Sequence, residues 1–212
     1  MAEIPDDGLE RIHWAVSPAG GEELKARYDL WARHYDTDLT EIENYTAPMK
    51  AASAAARYIK PGARILDAAC GTGLSGAALR DKGFDDLVGL DFSAGMLERA
   101  KRKGIYRELV TGDLSKPLDF PDDAFQAVII VGESIHLPVE CYREFVRIAE
   151  PGGYIVYCGS GERAQERGLW KLCGALEREG KLKFIESGEP FHPLPRSEPE
   201  LTFVTVVHAV PG

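Results

Sequence analysis

The feature that most constrains the fold of this chain is an alternation of short apolar segments with amphipathic ones, which begins at residue 64. Such an alternation is typical of βα units, in which parallel strands alternate with helices. Ligands bind such sheets at the carboxyl ends of the strands. The predicted strands are Arg64–Ala68, Leu87–Asp91, Tyr106–Thr111, Phe125–Val131 and Tyr154–Cys158. The sequence therefore predicts a doubly wound α/β sheet, with the nearly all-apolar Phe125–Val131 as a central strand.

The segments between and after these strands carry helical patterns. Two helices are expected between the first three strands, over Ser75–Lys82 and from a capping Ser93 to about Lys103. A third is expected after the fourth strand, where Val139, Tyr142, Val146 and Ala149 form one helical face that ends at Glu150-Pro-Gly-Gly153. A fourth is expected around Leu169, Leu172 and Leu176. The final part of the chain changes character. Leu182–Glu186 and Leu201–Val210 predict two strands, and the proline-rich segment between them leaves no room for a helix. We expect these two strands to form an antiparallel pair at the sheet edge.

The first sixty residues precede the alternation. Residues 1–20 mix acidic residues with proline and glycine, which predicts a loose leader. A helix is expected next, because Leu24, Tyr28, Trp31 and Tyr35 lie on one helical face. Packing in the core explains this aromatic face without any ligand, so both interpretations stay open. A second helix is expected from about Thr46 to Tyr58.

A glycine-rich segment follows the first predicted strand. Gly71 and Gly73 allow a tight turn and close approach of the backbone to a ligand. The helix that follows offers free N–H groups to a negative group, and Asp67 adds a carboxylate that faces the same space. An anion site beside a carboxylate suits a zwitterion such as an amino-acid moiety.

Two further acidic residues lie where strands end. Asp91 ends the second strand and can accept hydrogen bonds from two ribose hydroxyls, while Phe92 can cover an adenine face. Gly112 and Asp113 end the third strand, where the carboxylate can accept a hydrogen bond from an exocyclic amine.

This layout resembles the class I S-adenosylmethionine-dependent methyltransferases over roughly residues 60–212. The resemblance implies a Rossmann-like doubly wound seven-stranded sheet of order 3-2-1-4-5-7-6, with the last strand antiparallel. It also implies S-adenosylmethionine as cofactor, bound at its methionine part by Asp67 and Gly71, at its ribose by Asp91 and at its adenine by Asp113. The matching residues are Asp67–Gly73 (DAACGTG), Asp91, Gly112, Asp113, the apolar fourth strand and Glu150-Pro-Gly-Gly153. The full set of cofactor-binding residues expected from the resemblance is Tyr28, Trp31, Tyr35, Asp67, Ala69, Gly71, Gly73, Asp91, Phe92, Met96, Gly112, Asp113, Leu114 and Gly132.

The predicted N-terminal helix resembles the lid helix of a subgroup that includes the Williams–Beuren-region methyltransferase-like proteins. This similarity implies that Tyr28, Trp31 or Tyr35 closes over the cofactor. The expected organisation is an N-terminal leader and helical lid over residues 1–60 and a methyltransferase domain over residues 61–212.

Two alternatives to a methyltransferase remain open at this stage. Gly71, Gly73 and Gly76 also satisfy the dinucleotide fingerprint, and Asp91 is compatible with the ribose of a nicotinamide cofactor, so an NAD(P)-dependent oxidoreductase is one alternative. A protein that binds S-adenosylmethionine without catalysis is the other. For Asp67, Asp91 and Asp113, a purely structural role in a cap or turn is the competing interpretation.

The expected reaction is transfer of the sulfonium methyl group by in-line displacement, for which the protein mainly positions the reactants. A general base is needed only if the acceptor must lose a proton. Glu133 and His136 follow the fourth strand and are the candidate bases. The segment Gly132–Ile135 departs from the Asn/Asp-Pro-Pro-Tyr pattern of many amino-group methyltransferases, which disfavours DNA-adenine and glutamine acceptors.

Composition narrows the class of partner. Thirty-four acidic residues against twenty-five basic ones give a formal charge of −9, so no basic field attracts nucleic acid or an anionic membrane. Four cysteines without a CxxC pair and five histidines without close pairs disfavour a metal site and a disulfide framework. The N-terminus carries no apolar segment typical of a signal peptide. We therefore expect a cytoplasmic monomer or weak dimer that methylates a small-molecule acceptor and binds no metal.

Overall fold

The computed structural model describes residues 4–17, 21–132 and 138–212. Within these residues, one sheet contains β1 (Arg64–Ala68), β2 (Asp86–Asp91), β3 (Glu108–Thr111), β4 (Phe125–Val131), β5 (Ala149–Gly159), β6 (Lys183–Ser187) and β7 (Val204–Ala209). The strand order is β3-β2-β1-β4-β5-β7-β6. Strands β1 to β5 pair in parallel, and β7 is antiparallel to both β5 and β6. The predicted order and the antiparallel terminal pair are confirmed.

Most of the helices lie where the periodicity of the sequence predicts them. They are α1 (Gly8–Val16), α2 (Gly21–Trp31), α3 (Tyr35–Thr37), α4 (Ala47–Tyr58), α5 (Leu74–Asp81), α6 (Ala94–Lys103), α7 (Cys141–Ile148), α8 (Gly161–Glu166) and α9 (Leu169–Arg178), with a π-helical turn at Asp38–Ile42. The predicted cap of α6 is present, because Ser93 Oγ accepts a hydrogen bond from Met96 N at 3.1 Å. In the part of the chain that the structure describes, we find no helix with the length and apolarity that crossing a membrane requires.

Helices cover both faces of the sheet. Along β4, Ala127 and Ile129 face the alanine-rich α4, while Val128 and Ile130 face α7 and α9. All four of these β4 side chains are fully buried, as predicted for a central strand. The small side chains of α4, such as Ala55, allow that helix to lie close against the sheet. The carboxyl ends of the parallel strands lie together at one edge of this three-layer core.

The prediction of a loose leader over residues 1–20 is wrong for Gly8–Val16, which forms α1. Asp7 caps this helix, because its side chain accepts hydrogen bonds from the amides of the first turn. Arg11 binds Asp38 through two hydrogen bonds, Nε to Oδ2 at 2.8 Å and Nη2 to Oδ1 at 2.7 Å. Trp31 Nε1 donates to the same carboxylate at 2.8 Å. This long-range anchoring has no periodic signal in the sequence.

The predicted helical face from Leu24 to Tyr35 does not lie on one continuous helix. Helix α2 ends at Trp31, where His34 N donates to Trp31 O at 2.8 Å and the chain turns. Tyr35 then begins α3. The turn lets Tyr28 and Tyr35 approach the sheet loops from two separate elements.

Strand β5 begins at Ala149, five residues before the predicted start at Tyr154. Gly152 and Gly153, which predict a turn, lie instead in the irregular first part of β5. Gly152 has a φ of +84°, and a Cβ on Gly153 would lie 2.8 Å from Gln126 O of the neighbouring strand. Helix α8 was not predicted from the sequence. The other predicted strands and helices are confirmed with bounds shifted by a few residues.

Three acidic side chains attach residues 21–45, here called the N-terminal segment, to other parts of the chain. They are Asp29, Asp36 and Glu43, and each accepts hydrogen bonds from or pairs with two groups. Asp29 accepts hydrogen bonds from Ser93 Oγ at 2.6 Å and Gly95 N at 2.9 Å. Asp36 accepts one from Thr72 Oγ1 and pairs with Lys103, whose Nζ lies 2.8 Å away. Glu43 accepts hydrogen bonds from Arg196 N at 2.9 Å and Ser197 N at 2.8 Å. The N-terminal segment is therefore fixed over the carboxyl ends of β1 and β2.

The buried Asp38 cluster yields a first testable prediction. Asp38→Ala removes the partner of both Arg11 and Trp31, and breaking a buried pair typically costs about 3 kcal/mol or more. We expect the amides of α1 and α2 to lose about that much protection in hydrogen exchange followed by mass spectrometry. Glu98→Gln is the control, because it breaks the exposed pair with Arg102 and should leave protection unchanged. Unchanged protection of α1 in Asp38→Ala would contradict the anchoring role.

Candidate cofactor and acceptor site

A cavity of about 750 Å³ opens at the carboxyl ends of β1, β2, β3 and β4. The loops after these strands form one side of the cavity, and α2 with Tyr35 forms the other. Of the residues predicted to bind a cofactor, its wall contains Tyr28, Tyr35, Ala69, Gly71, Asp91, Phe92, Gly112, Asp113, Leu114 and Gly132. The structure therefore brings most of the predicted set into one cavity, which lies where open α/β sheets bind their ligands.

Asp91 is held in place by two backbone amides. Its Oδ2 accepts a hydrogen bond from Gly71 N and its Oδ1 accepts one from Ser93 N, each at 2.9 Å. A carboxylate can accept about four hydrogen bonds, so Asp91 retains acceptor capacity beyond its backbone partners. Burial raises the pKa of Asp91 to about 6. At neutral pH the side chain is therefore a buried, oriented acceptor for a ligand hydroxyl.

The glycine-rich loop presents bare backbone to the cavity. Ala69, Gly71 and Gly73 all have positive φ, of +57°, +53° and +92°. Ala69 is the exception among them, because residues with a Cβ rarely adopt this conformation. The ring of Tyr35 lies over the loop, 3.9 Å from the point where a Cβ on Gly71 would be. The loop is thus turned towards the space beneath Tyr35.

The end of the cavity near β3 combines an apolar surface with a carboxylate. Phe92 and Leu114 supply the apolar surface, and the rings of Phe92 and Tyr28 lie 6.0 Å apart. Asp113 is half-buried and accepts hydrogen bonds from Ser115 N at 2.9 Å and Ser115 Oγ at 2.6 Å. The hydroxyl of Ser115 keeps the pKa of Asp113 below its ordinary value. This end suits a planar ring that carries an amine.

Four residues of the predicted set lie outside the cavity wall: Trp31, Asp67, Gly73 and Met96. Trp31 is buried and bound to Asp38, and Met96 is fully buried in the same cluster as Trp31. Both support the N-terminal segment from behind rather than facing the cavity.

Asp67 and Gly73 instead surround Tyr106. The hydroxyl of Tyr106 donates to Asp67 Oδ2 at 2.5 Å. A Cβ on Gly76 would lie 2.4 Å from that hydroxyl, and one on Gly73 would lie 3.0 Å from the ring. These glycines are therefore required for the space that Tyr106 occupies. Burial raises the pKa of Asp67 to about 7, so the carboxyl shares its buried site with a neutral phenol.

The candidate bases Glu133 and His136 lie outside the described residues. The residue before them, Gly132, lines the cavity with a φ of +72°, and its N donates to Cys158 O at 2.9 Å.

Several wall residues were not predicted from the sequence. Leu24 lies on the predicted helical face, so that pattern could have indicated it. Tyr45 and Tyr106 lie outside this wall, beside Gly132 and Asp67, and no sequence pattern assigned either of them a role in the site. The remaining unpredicted wall residues include Gly21, Glu22, Lys25, Leu90, Thr111, Ser115, Lys116, Ile130, Val131 and Pro138.

Comparison with known proteins agrees with this geometry. A methyltransferase domain family matches residues 65–153. Methyltransferase-like protein 27 from Homo sapiens is 41% identical over 165 residues, which cover 73% of this chain and 66% of that protein. The chain belongs to the class I S-adenosylmethionine-dependent methyltransferase family. A demethylmenaquinone methyltransferase from Renibacterium salmoninarum is 40% identical over 98 residues, which cover 45% of this chain and 40% of that protein.

Solved structures share the fold. A chain from the complex between the Haloferax volcanii Trm112 methyltransferase activator and a methyltransferase superposes with a TM-score of 0.66 and 21% identity, covering 89% of this chain and 97% of that one. Among the sequence relatives, the match to this chain covers about two thirds of the length of human methyltransferase-like protein 27 and less than half of the length of the Renibacterium salmoninarum enzyme. The antiparallel β7 inserted between β5 and β6 also differs from the 3-2-1-4-5-6 sheet of dinucleotide-binding enzymes.

The residues present fit S-adenosylmethionine. Asp91 has free acceptor positions for ribose hydroxyls, and the loop at Gly71 leaves the backbone accessible. The apolar surface at Phe92 and Leu114 fits an adenine ring, and the volume lies in the usual range for small-ligand sites.

The buried Asp67 predicts a pH-dependent stability. Its pKa of about 7 lies above the ordinary value of 3.8, so the folded state favours the protonated form. The resulting stabilisation is complete below about pH 4 and is lost as pH rises through about 7. Asp67→Asn should therefore match the wild type most closely in thermal stability near pH 4, and its advantage should grow until about pH 7 and stay constant above that.

Thermal unfolding of both proteins at several pH values checks this prediction. Asp91 also has a raised pKa and its charge helps to raise the pKa of Asp67, so the difference between the two proteins reports the titration of Asp67 together with its coupling to Asp91. A stability difference that stays constant from pH 5 to pH 8 would show that Asp67 does not titrate in this range.

Proposed function

We propose that this chain transfers a methyl group from S-adenosylmethionine to a small-molecule acceptor and releases S-adenosylhomocysteine. The observation that carries this proposal is the buried Asp91, which Gly71 N and Ser93 N orient towards the cavity in a chain of the methyltransferase family. S-adenosylmethionine supplies a methyl group that its sulfonium already activates. The protein therefore has to bind, align and exclude water, which are positioning tasks.

Each part of the cofactor has a proposed group of residues. The loop at Ala69 and Gly71 would hold the methionine part, with Asp67 behind it, and Asp91 would accept from the ribose. Gly73 would act indirectly, through the space it leaves for Tyr106. The remaining members of the proposed set are Phe92, Gly112, Asp113 and Leu114 at the adenine, Tyr28, Tyr35 and Gly132 near the reacting end, and Trp31 and Met96 in support of the N-terminal segment.

The acceptor class is inferred from charge and from the relatives. A formal charge of −9 disfavours a polyanionic substrate such as nucleic acid. Several relatives are named demethylmenaquinone methyltransferases, and that name denotes a small organic acceptor for those proteins. If the acceptor must lose a proton, Glu133 or His136 is the proposed base, since both closely follow Gly132 in the sequence.

We propose that the protein works in the cytoplasm as a monomer or weak dimer. Its four cysteines are buried free thiols, which suits a reducing compartment. The large apolar side chains exposed on the described surface, Leu30, Met49 and Phe184, lie on three different elements and form no single patch.

The N-terminal residues 1–60 would include the lid, and residues 61–212 the methyltransferase domain. The parts of the proposed lid that face the cavity are α2 and α3, through Tyr28 and Tyr35. The pair between Asp36 and Lys103, together with the hydrogen bond from Thr72 to Asp36, holds α3 against the glycine-rich loop. The Asp36 and Lys103 side chains are half-exposed, so their pair can break and re-form as a ligand enters.

Lys103→Met tests the lid. Without the ammonium group, Asp36 loses its cation, and Tyr35 should spend less time over the loop. We expect S-adenosylhomocysteine to bind several-fold more weakly in calorimetry. Lys101→Met, which changes an exposed lysine on the same helix, is the control and should bind as the wild type does. Equal affinities in the two variants would mean that the Asp36–Lys103 pair does not hold a lid.

Asp91→Asn tests the cofactor assignment. The amide removes the charge and one acceptor, and hydrogen bonds to charged groups contribute about 1.5–3 kcal/mol. The affinity for S-adenosylhomocysteine should therefore fall by roughly tenfold to a hundredfold. Asp86→Asn is the matched control, because Asp86 begins the same strand at the end remote from the cavity. Wild-type affinity in Asp91→Asn would remove the ribose assignment.

The activity itself is tested by a screen of small-molecule acceptors scored by release of S-adenosylhomocysteine. Turnover with at least one acceptor, lost in Asp91→Asn, is the expected result. Tight binding of S-adenosylmethionine without turnover of any acceptor would favour a non-catalytic binding protein instead.

A further inference from the structure

A second, smaller cavity of about 60 Å³ adjoins the first. Tyr28, Tyr35 and Gly132 line both cavities, so the two meet at these residues. The walls of the smaller cavity are otherwise mainly aliphatic and aromatic. They include Ile12, Leu39, Tyr45, Leu194, Leu201 and Phe203. The small cavity is lined by α1, the N-terminal segment, α8 and the connection between β6 and β7.

Three tyrosines line this junction: Tyr28 and Tyr35 line both cavities, and Tyr45 lines the smaller one. Among the described residues, none of the three hydroxyls has a hydrogen-bond partner, and all three side chains are half-buried. Tyr45 reaches the end of β4, because a Cβ on Gly132 would lie 2.5 Å from its hydroxyl oxygen. Burial raises the pKa of each phenol, so all three remain neutral donors and acceptors at physiological pH.

The charges around the smaller cavity are balanced. Its charged lining residues, within the described ranges, are Arg163 and Glu198, which pair at 2.7 Å. The lysines at the wall of the larger cavity are also paired. Lys25 pairs with Asp29 at 3.1 Å, and Lys116 pairs with Asp113 at 3.4 Å. No cation of the described wall is left to balance an anionic acceptor, and the buried Asp91 would repel one.

We propose that Tyr28, Tyr35 and Tyr45 form an acceptor subsite that selects a small, uncharged molecule with an apolar body and a hydroxyl or amine group. This inference rests on the proposed function and adds the substrate class to it. Tyr45 is the residue most specific to the subsite, because it lines the smaller cavity but not the larger one. Unpaired hydroxyls inside an apolar wall favour a molecule that can satisfy them and disfavour one that cannot.

Binding of small aromatic probes in the presence of saturating S-adenosylhomocysteine tests the proposal. Phenol, toluene and benzoate have similar size and differ in hydrogen bonding and charge, and NMR titration measures their affinities. We expect phenol to bind most tightly and benzoate most weakly. Tyr45→Phe should weaken phenol about three- to tenfold, which is the usual effect of one hydrogen bond, without changing toluene. Tyr154→Phe, on the far part of β5, is the matched control and should change neither.

A second variant tests the charge selection. Glu198→Gln leaves Arg163 without its carboxylate partner, so benzoate should then bind several-fold more tightly than it does to the wild type. Benzoate binding that equals phenol binding in the wild type, or phenol binding that Tyr45→Phe leaves unchanged, would overturn the subsite. If S-adenosylhomocysteine itself does not bind, the proposed function fails; if it binds and the probes do not, only this inference fails.

Discussion

The carboxylate of Asp91 is the interaction on which the site depends. It binds Gly71 N in the loop after β1 and Ser93 N in the loop after β2, so one buried side chain joins the two loops that form the cavity. The backbone bond from Cys70 N to Leu90 O, at 2.9 Å, supports the same junction. A bare carboxylate buried to this extent is costly unless hydrogen bonds compensate it. The two amides that stabilise the buried Asp91 carboxylate also orient it towards the cavity. The same hydrogen bonds therefore hold the two loops together and place the carboxylate for a ligand.

The acidic excess of the chain has a structural use beyond solubility. Asp29, Asp36 and Glu43 place the N-terminal segment by accepting hydrogen bonds from loop amides and side chains of the other elements. The contact of Asp29 with Gly95 N lies at the N-terminus of α6, where a negative group is favoured. These contacts position Tyr28 and Tyr35 over the cavity. The cavity is therefore formed jointly by the sheet and by a segment that belongs to none of the βα units.

The fold follows from local patterns more completely than the site does. Phe125–Val131 is a strand with the predicted bounds, because burial on both faces leaves an uninterrupted apolar run. Asp91 and Asp113 could be found because strand ends place their residues at the cavity. Tyr45 and the pairing of Asp67 with Tyr106 could not, since both depend on contacts between distant segments and have no periodicity. Helix α1 was missed although Asp7 caps it and Ile12 and Ala15 form its buried face, because the proline and glycine around it were interpreted as a leader.

The central claim is that this cavity holds S-adenosylmethionine by its ribose at Asp91. A crystal structure of the chain with S-adenosylhomocysteine tests it most directly. The account predicts that both ribose hydroxyls lie within hydrogen-bond distance of the Asp91 carboxylate, that the adenine lies against Phe92 and Leu114, and that the sulfur faces Tyr28 and Tyr35. A nucleoside bound elsewhere, or one whose ribose leaves Asp91 in contact with its two amides alone, would contradict it.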